Sequence, residues 1–130
     1  MRRVAIAERS NWRARAAEAG FRFHTIDGAP YWDETAYYAF TLRQIENDLE
    51  DPSAELHAMA LDLVGDVVAS EELMERLAIP APFRDWIAES WRRRDPHLYG
   101  RLDFAYDGNG PARLYELNYD TPTSLYEAAF

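Results

Sequence analysis

Two short motifs near the end of the chain have the residue types and spacing to hold a cation and a phosphate. Arg101 and Asp103 stand two residues apart, as do Glu116 and Asn118, within segments where polar and apolar residues alternate. Alternation places these four side chains on one face of an antiparallel hairpin. A register that pairs Asp103 with Glu116 also pairs Arg101 with Asn118, and it predicts a four-residue loop over residues 108–111.

Directly opposed strand residues have Cβ atoms roughly 5 Å apart, so the carboxylates of Asp103 and Glu116 would meet across the strands. Opposed carboxylates repel unless a cation lies between them. Carboxylate and amide oxygens suit Mg²⁺, and Arg101 suits a phosphate oxygen beside that metal. The pattern alone favours a plainer interpretation, a solvated face on which Arg101 neutralises both carboxylates, because both motifs are short. A hydrolase with Asp103 and Glu116 as acid and base is less favoured, since Asn118 and Arg101 suit metal and phosphate.

The elements that would position these motifs are a hairpin and a helical half before it. After Pro96 the apolar period changes from about 3.6 residues to 2, and the turn-forming residues 107–111 separate two alternating segments. The apolar face of the hairpin is therefore predicted to face the core. It carries Leu102, Phe104, Tyr106, Tyr115, Leu117 and Tyr119.

Residues 1–98 are predicted to be mostly helical, 99–120 to form the hairpin, and 121–130 to begin a further helix, with Ser124 and Glu127 spaced as a capping box. This is an α+β fold whose hairpin belongs to a larger sheet. The sequence stops inside the last predicted helix, so we expect an N-terminal fragment. Five earlier helices are expected: Trp12–Ala19, one capped by Asp33 with the stripe Tyr38, Leu42, Ile45 and Leu49, and others beginning at Asp51-Pro52, after Ser70, and at Pro82.

Composition excludes several classes of function. The 130 residues carry a net charge of −9, which argues against binding to nucleic acid or to an anionic membrane. All 14 basic residues are Arg, so a Walker A lysine and Schiff-base chemistry are excluded within the sequence. The sequence has no Cys and no long apolar run. These features fit a cytoplasmic protein.

Residues 101–108 and, above all, the run from Glu116 to Glu127 resemble the glutathionylspermidine synthase family, closest to its stand-alone synthetase-like members. The resemblance extends over essentially the whole sequence. Members of this family are ATP-grasp carbon–nitrogen ligases. The resemblance implies that the chain is the pre-ATP-grasp portion of such an enzyme, with ATP as a substrate and Mg²⁺ as the cofactor.

The resemblance also implies roles for individual residues. Asp103, Glu116 and Asn118 would be Mg²⁺ ligands. Arg101 would be the catalytic residue, and with Asp103 it would bind ATP phosphate. Glutathione-binding members have serines where this sequence has Thr121 and Thr123, so these two residues and Asp120 would bind the acid substrate.

The function implied for the intact protein is the ADP-forming synthesis of an amide through an acyl phosphate. Its substrates would be a carboxylic acid, such as a glutathione-like peptide, and an amine or polyamine, with neither nucleic acid nor membrane as a partner. In this family the glycine-rich loop and lysines that bind ATP lie further toward the C-terminus, so the 130-residue chain alone is expected to be inactive. The rival is a non-catalytic binding or scaffold module. An exposed hairpin edge and a truncated helix predict dimerisation or aggregation of the fragment.

Overall fold

The computed structural model describes residues 1–125 and 127. Its elements are helices and small antiparallel strand pairs, which confirms the predicted α+β class. In chain order they are β1 (Arg2–Ala5), α1 (Trp12–Glu18), β2 (Thr25–Ile26), β3 (Ala29–Pro30), β4 (Ala36–Ala39), a π-helical segment (Gln44–Glu50), α2 (Asp51–Val68), α3 (Glu71–Arg76), α4 (Ala81–Arg93), β5 (Arg101–Ala105) and β6 (Arg113–Asn118).

The chain divides into two compact units. One is helical and spans residues 50–99, and the other combines residues 1–49 with the described residues from 100 onward. In the helical unit, the Ser70 hydroxyl accepts a hydrogen bond from the Leu73 N–H at 3.2 Å and caps α3, as predicted. Helix α4 has Pro82 in its first turn, which is also as predicted. Within the described residues, no helix combines the length and apolar character needed to cross a membrane.

The second unit has a small aromatic core around α1. Trp12, Ala16 and Phe21 are buried there, and Trp32 packs against them. The predicted helix from Trp12 is confirmed, and it ends before Gly20, whose φ of 85° is favourable for glycine.

The helix predicted to start at Asp33 is wrong over its first part. Residues 36–39 form β4, which pairs with β1 in the register Val4 to Tyr37. Asp33 instead accepts hydrogen bonds from the backbone N–H and the hydroxyl of Thr35. The aromatic pair at positions 37 and 38 suits a strand once a partner strand is available, and pairing with β1 overrides the helical spacing of the apolar residues.

The helix begins after Thr41 instead. The Thr41 hydroxyl accepts from the Gln44 N–H at 3.2 Å, and the Gln44 side-chain oxygen accepts from the Thr41 N–H at 3.0 Å. This reciprocal cap is readable in the sequence as Thr41-x-x-Gln44.

Helix α2 begins at Asp51 with Pro52 in its first turn, as predicted, and the π-helical segment directly precedes it. Pro52 has no N–H and cannot donate to the Asp48 carbonyl four residues before it. That carbonyl accepts from the Ala112 N–H at 2.7 Å. The Asp48 carbonyl therefore has a hydrogen-bond donor outside the helix.

The hairpin has the predicted register at its open end, where Arg101 pairs with Asn118 and Asp103 with Glu116. Beyond Asp103 the prediction fails by one residue, because Phe104 pairs with Leu114 and Tyr115 is the extra residue of a β-bulge. The loop therefore spans residues 106–112 rather than 108–111.

The bulge changes which residues share a face. Tyr115 does not join the apolar face, and 84% of its surface is exposed. Leu102 and Phe104 are half-buried, whereas Leu117 and Tyr119 are 38% and 40% exposed. Among the described residues, the strands form three two-stranded sheets, β1 with β4, β2 with β3 and β5 with β6. That the hairpin belongs to a larger sheet stays a prediction.

Candidate functional site

Strand β5 places Arg101 and Asp103 on one face, and their side chains join directly. Arg101 Nε lies 2.7 Å from Asp103 Oδ1, and Nη2 lies 3.0 Å from Oδ2. Residues two apart on a strand point the same way, so a planar guanidinium can meet both oxygens of the carboxylate. These hydrogen bonds raise the pKa of Arg101 above its usual value.

The same guanidinium reaches two further groups. Arg101 Nη1 donates to the Thr123 hydroxyl at 2.7 Å, and Nη2 lies 3.9 Å from Glu116 Oε1 on the opposite strand. The Arg101 side chain is 27% exposed. The structure thus brings three other predicted site residues, Asp103, Glu116 and Thr123, around the Arg101 guanidinium. These four residues form the Arg101 cluster.

Asn118 and Thr121 form the turn that follows β6. The Asn118 Oδ1 accepts from the Thr121 N–H at 3.1 Å, a local side-chain-to-backbone bond that directs the chain after the strand. Asp120 is exposed within this turn. Among residues 1–125 and 127, no hydrogen bond or ion pair joins Asp120 to the Arg101 cluster.

Gly100 allows the ends of β5 and β6 to approach. A Cβ built at Gly100 would lie 2.4 Å from two carbons of the Tyr119 ring. Any larger residue there would displace that ring, so glycine permits the contact next to the site.

After Ser124, the two described residues Leu125 and Glu127 are helical, in agreement with the predicted helix, but the start of that helix differs from the prediction. Ser124 has φ of 74°, in the left-handed region, and the Glu127 carboxylate accepts from the Tyr31 hydroxyl at 3.2 Å. The predicted capping box is therefore not formed among the described residues. The rest of the helix predicted over 121–130 falls at Tyr126 and at 128–130, which lie outside the described residues.

Asp103, Glu116 and Asn118 have the oxygen donors that Mg²⁺ prefers. Asp103 and Glu116 have side chains 40% and 53% exposed, and Asn118 adds an amide oxygen on the same face. Two carboxylates and an amide fit a hard cation that keeps several waters. Asp103 would have to release one oxygen from Arg101. No group of three His, Cys, Asp or Glu side chains that could hold a metal occurs among the described residues.

Some residues that support the site were missed by the sequence analysis. Asp48 is only 6% exposed and accepts from the Tyr106 hydroxyl at 2.6 Å, and Gln44 donates to the Gly108 carbonyl at 2.9 Å. The sequence does contain a sign of this role. Asp48 is an acidic residue on the helix between Ile45 and Leu49 of the apolar stripe, where a carboxylate needs a hydrogen-bond partner.

The sequence of this chain matches a known protein family over almost its whole length. The family described as glutathionylspermidine synthase pre-ATP-grasp matches residues 3–130. The chain belongs to this family. The resemblance noted in the sequence is thereby confirmed at the level of the family.

Three relatives show how much of a longer protein the match covers. A Haemophilus influenzae protein, provisionally named an acid–amine ligase, is 42% identical over 113 residues, which are 85% of this chain and 28% of the relative. The bifunctional glutathionylspermidine synthetase/amidases of Escherichia coli and Shigella flexneri are each 33% identical over 97 residues, which are 74% of this chain and 15% of each relative. The chain spans less than a third of the length of these relatives.

Proposed function

We propose that this chain is the N-terminal part of an ATP- and Mg²⁺-dependent ligase that joins a carboxylic acid to an amine. The observation that carries the proposal is Arg101, which binds Asp103 through two hydrogen bonds and reaches Glu116 in a chain of this family. The names of the relatives support the reaction class. A glutathione-like peptide is the proposed acid and a polyamine the proposed amine.

The proposed reaction balances without a protein nucleophile. A carboxylate oxygen of the acid attacks the γ-phosphorus of ATP, and ADP leaves to give an acyl phosphate. The amine nitrogen then attacks the acyl carbon, phosphate leaves, and the nitrogen loses a proton. Catalysis of phosphoryl transfer depends mainly on positioning and charge stabilisation. An Arg would provide this stabilisation directly, and two carboxylates would contribute by holding the metal ion.

The roles proposed for the residues are those that the family resemblance implies. Asp103, Glu116 and Asn118 would hold Mg²⁺, which supplies charge neutralisation at the phosphates when bound. Arg101 would stabilise the negative charge on the transferred phosphoryl group. The Thr123 hydroxyl accepts from Arg101 Nη1, so an acid that reaches Arg101 would also meet this hydroxyl.

Further contacts to the acid are proposed for the neighbouring residues Asp120 and Thr121. The ATP-binding lysines are proposed to lie in the part of the relatives that the match does not cover, because this sequence has none. The 130-residue chain would then be inactive by itself. Dimerisation through the hairpin edge stays a prediction.

The test is ADP release by the full-length protein that carries this chain, measured across a panel of acids and amines. Asp103→Ala, Glu116→Ala and Asn118→Ala should each abolish ADP release and weaken Mn²⁺ binding measured by electron paramagnetic resonance. Glu75→Ala, which removes an exposed carboxylate from α3, is the matched control and should change neither. Normal turnover in Glu116→Ala would contradict the metal assignment. No ADP with any pair of substrates would favour the non-catalytic module.

A further inference from the structure

The loop of the β5–β6 hairpin is held at both ends by one residue of the π-helical segment. Asp48 Oδ2 accepts from the Tyr106 hydroxyl at 2.6 Å, and the Asp48 backbone carbonyl accepts from the Ala112 N–H at 2.7 Å. Tyr106 directly follows β5 and Ala112 directly precedes β6. A single residue therefore fixes the exit of one strand relative to the entry of the next.

The middle of the loop is fixed by a second side chain of the same segment. Gln44 Nε2 donates to the Gly108 carbonyl at 2.9 Å, while its Oε1 accepts from the Thr41 N–H. Both ends of the amide are occupied, so its orientation is determined. Gly108 has φ of 97°, a conformation that favours glycine.

Burial makes the Asp48 contact costly to lose. Asp48 is 6% exposed, and Phe40 stacks on Tyr106 with ring centroids 6.1 Å apart and 14° between their planes. A buried carboxylate requires hydrogen-bond donors, and here Tyr106 supplies one. π-Helical turns are rare and are often found at functional sites.

The fixed loop determines which carboxylates face each other. The hairpin contains one bulge, at Tyr115, between the loop and the pair formed by Asp103 and Glu116. A slip of one residue would move Glu116 to the other face of the strand. The two strands have only 5 and 6 residues, so contacts at the loop add to the local alternation in preventing such a slip.

We infer that Asp48 is a positioning residue that sets the β5–β6 register and thereby places Asp103 opposite Glu116. It acts through Tyr106 and Ala112 and touches no proposed substrate or metal. The part of the inference that concerns metal binding rests on the proposed function. The strand register can be observed whether or not that function is correct.

The experiment compares Asp48→Ala and Tyr106→Phe in the full-length protein that carries this chain. Two quantities are measured: the cross-strand nuclear Overhauser contact between Asp103 and Glu116, and the Kd for Mn²⁺. Both variants should weaken the cross-strand contact and raise the Kd about tenfold or more, as losses of residues that orient metal ligands do. Asp48→Asn keeps an acceptor for Tyr106 and should restore both values.

Two controls separate positioning from general stability. Glu34 is as deeply buried as Asp48, at 7% exposed, but its partners Arg9 and Trp32 lie far along the chain from the hairpin. Glu34→Gln should lower stability while leaving the register and the Kd unchanged. Tyr115→Phe removes an exposed hydroxyl from the same hairpin and should change nothing.

The inference is overturned if Tyr106→Phe, folded, keeps the wild-type cross-strand contact. Should Asp48→Ala not fold, Tyr106→Phe decides the result alone. If the wild-type protein shows no Mn²⁺ binding that Glu116→Ala removes, the proposed function fails, and the cross-strand contact still decides whether Asp48 sets the register.

Discussion

Replacing Arg101 with Gln should strengthen metal binding while it abolishes activity. In the structure both oxygens of Asp103 are bound by Arg101, so a cation that uses Asp103 must first release one of them. Gln at this position keeps a polar end group on an aliphatic stem, but it is shorter than Arg and has neither the charge nor the two-pronged geometry of the guanidinium. The carboxylates of Asp103 and Glu116 would then face each other with no cation between them.

The size of the expected change in Mn²⁺ affinity follows from how exposed the ion pair between Arg101 and Asp103 is. The side chains of Arg101 and Asp103 are 27% and 40% exposed, and pairs of this kind contribute about 1 kcal/mol at most. Removing that competition should raise Mn²⁺ affinity about fivefold, since 1.4 kcal/mol corresponds to a factor of ten. Without metal, the Tm should fall, because the two carboxylates then lie opposite each other with no positive charge between them.

Mn²⁺ titration followed by electron paramagnetic resonance measures the affinity, and thermal unfolding with and without saturating Mg²⁺ measures the stability. Mg²⁺ should restore the Tm of Arg101→Gln, because the metal replaces the lost positive charge. Arg113→Gln makes the same change of charge at an exposed position of β6 and should leave affinity unchanged. Weaker or equal Mn²⁺ binding in Arg101→Gln would refute the reasoning, because Asp103 would then not be a ligand for which Arg101 competes.

Three further predictions concern stability. Burial, and then the hydrogen bond to Asp48, raise the pKa of Tyr106 from 10.0 to about 12. The stability that this group contributes is therefore present below pH 10 and is lost as pH rises toward 12. Urea unfolding at alkaline pH should show that loss in the wild type and not in Tyr106→Phe. The hydrogen bonds from Arg9 hold the pKa of Glu34 below its usual 4.5, so its contribution is lost as pH falls below 4.5, and the Tm of Glu34→Gln should depend less on pH there. Gly100→Ala should destabilise by about 1–3 kcal/mol through overpacking, and calorimetry should show part of this recovered when Tyr119 is also replaced by Ala.

The register of the site was readable from the sequence because it depends on local alternation. Arg101 and Asn118 pair as the pattern predicts, and so do Asp103 and Glu116. The cap at Ser70 and the place of Pro82 in the first turn of α4 were readable for the same reason, since the start of a helix is specified by residues within one turn.

The errors occur where contacts distant in sequence decide the structure. Residues 36–39 form a strand because β1, more than thirty positions earlier along the chain, supplies its hydrogen-bond partners. Strict alternation of apolar and polar residues cannot predict the bulge at Tyr115. One extra residue in a strand changes which face every later side chain lies on. Asp48 reads as one acidic residue on a helix until its contacts with Tyr106 and Ala112 are known.

The two interpretations of the charged face describe the same four groups in two states. Without a metal, Arg101 provides the positive charge that lets Asp103 and Glu116 lie opposite each other, so a neutralised and solvated face is what folding alone requires. If Mg²⁺ takes one Asp103 oxygen, Nη2 or Nε of Arg101 is released and can donate to a phosphate oxygen. An ion pair that is only partly buried can be opened at small cost, which makes the same arginine able to stabilise the empty hairpin and to bind the charged group of a substrate.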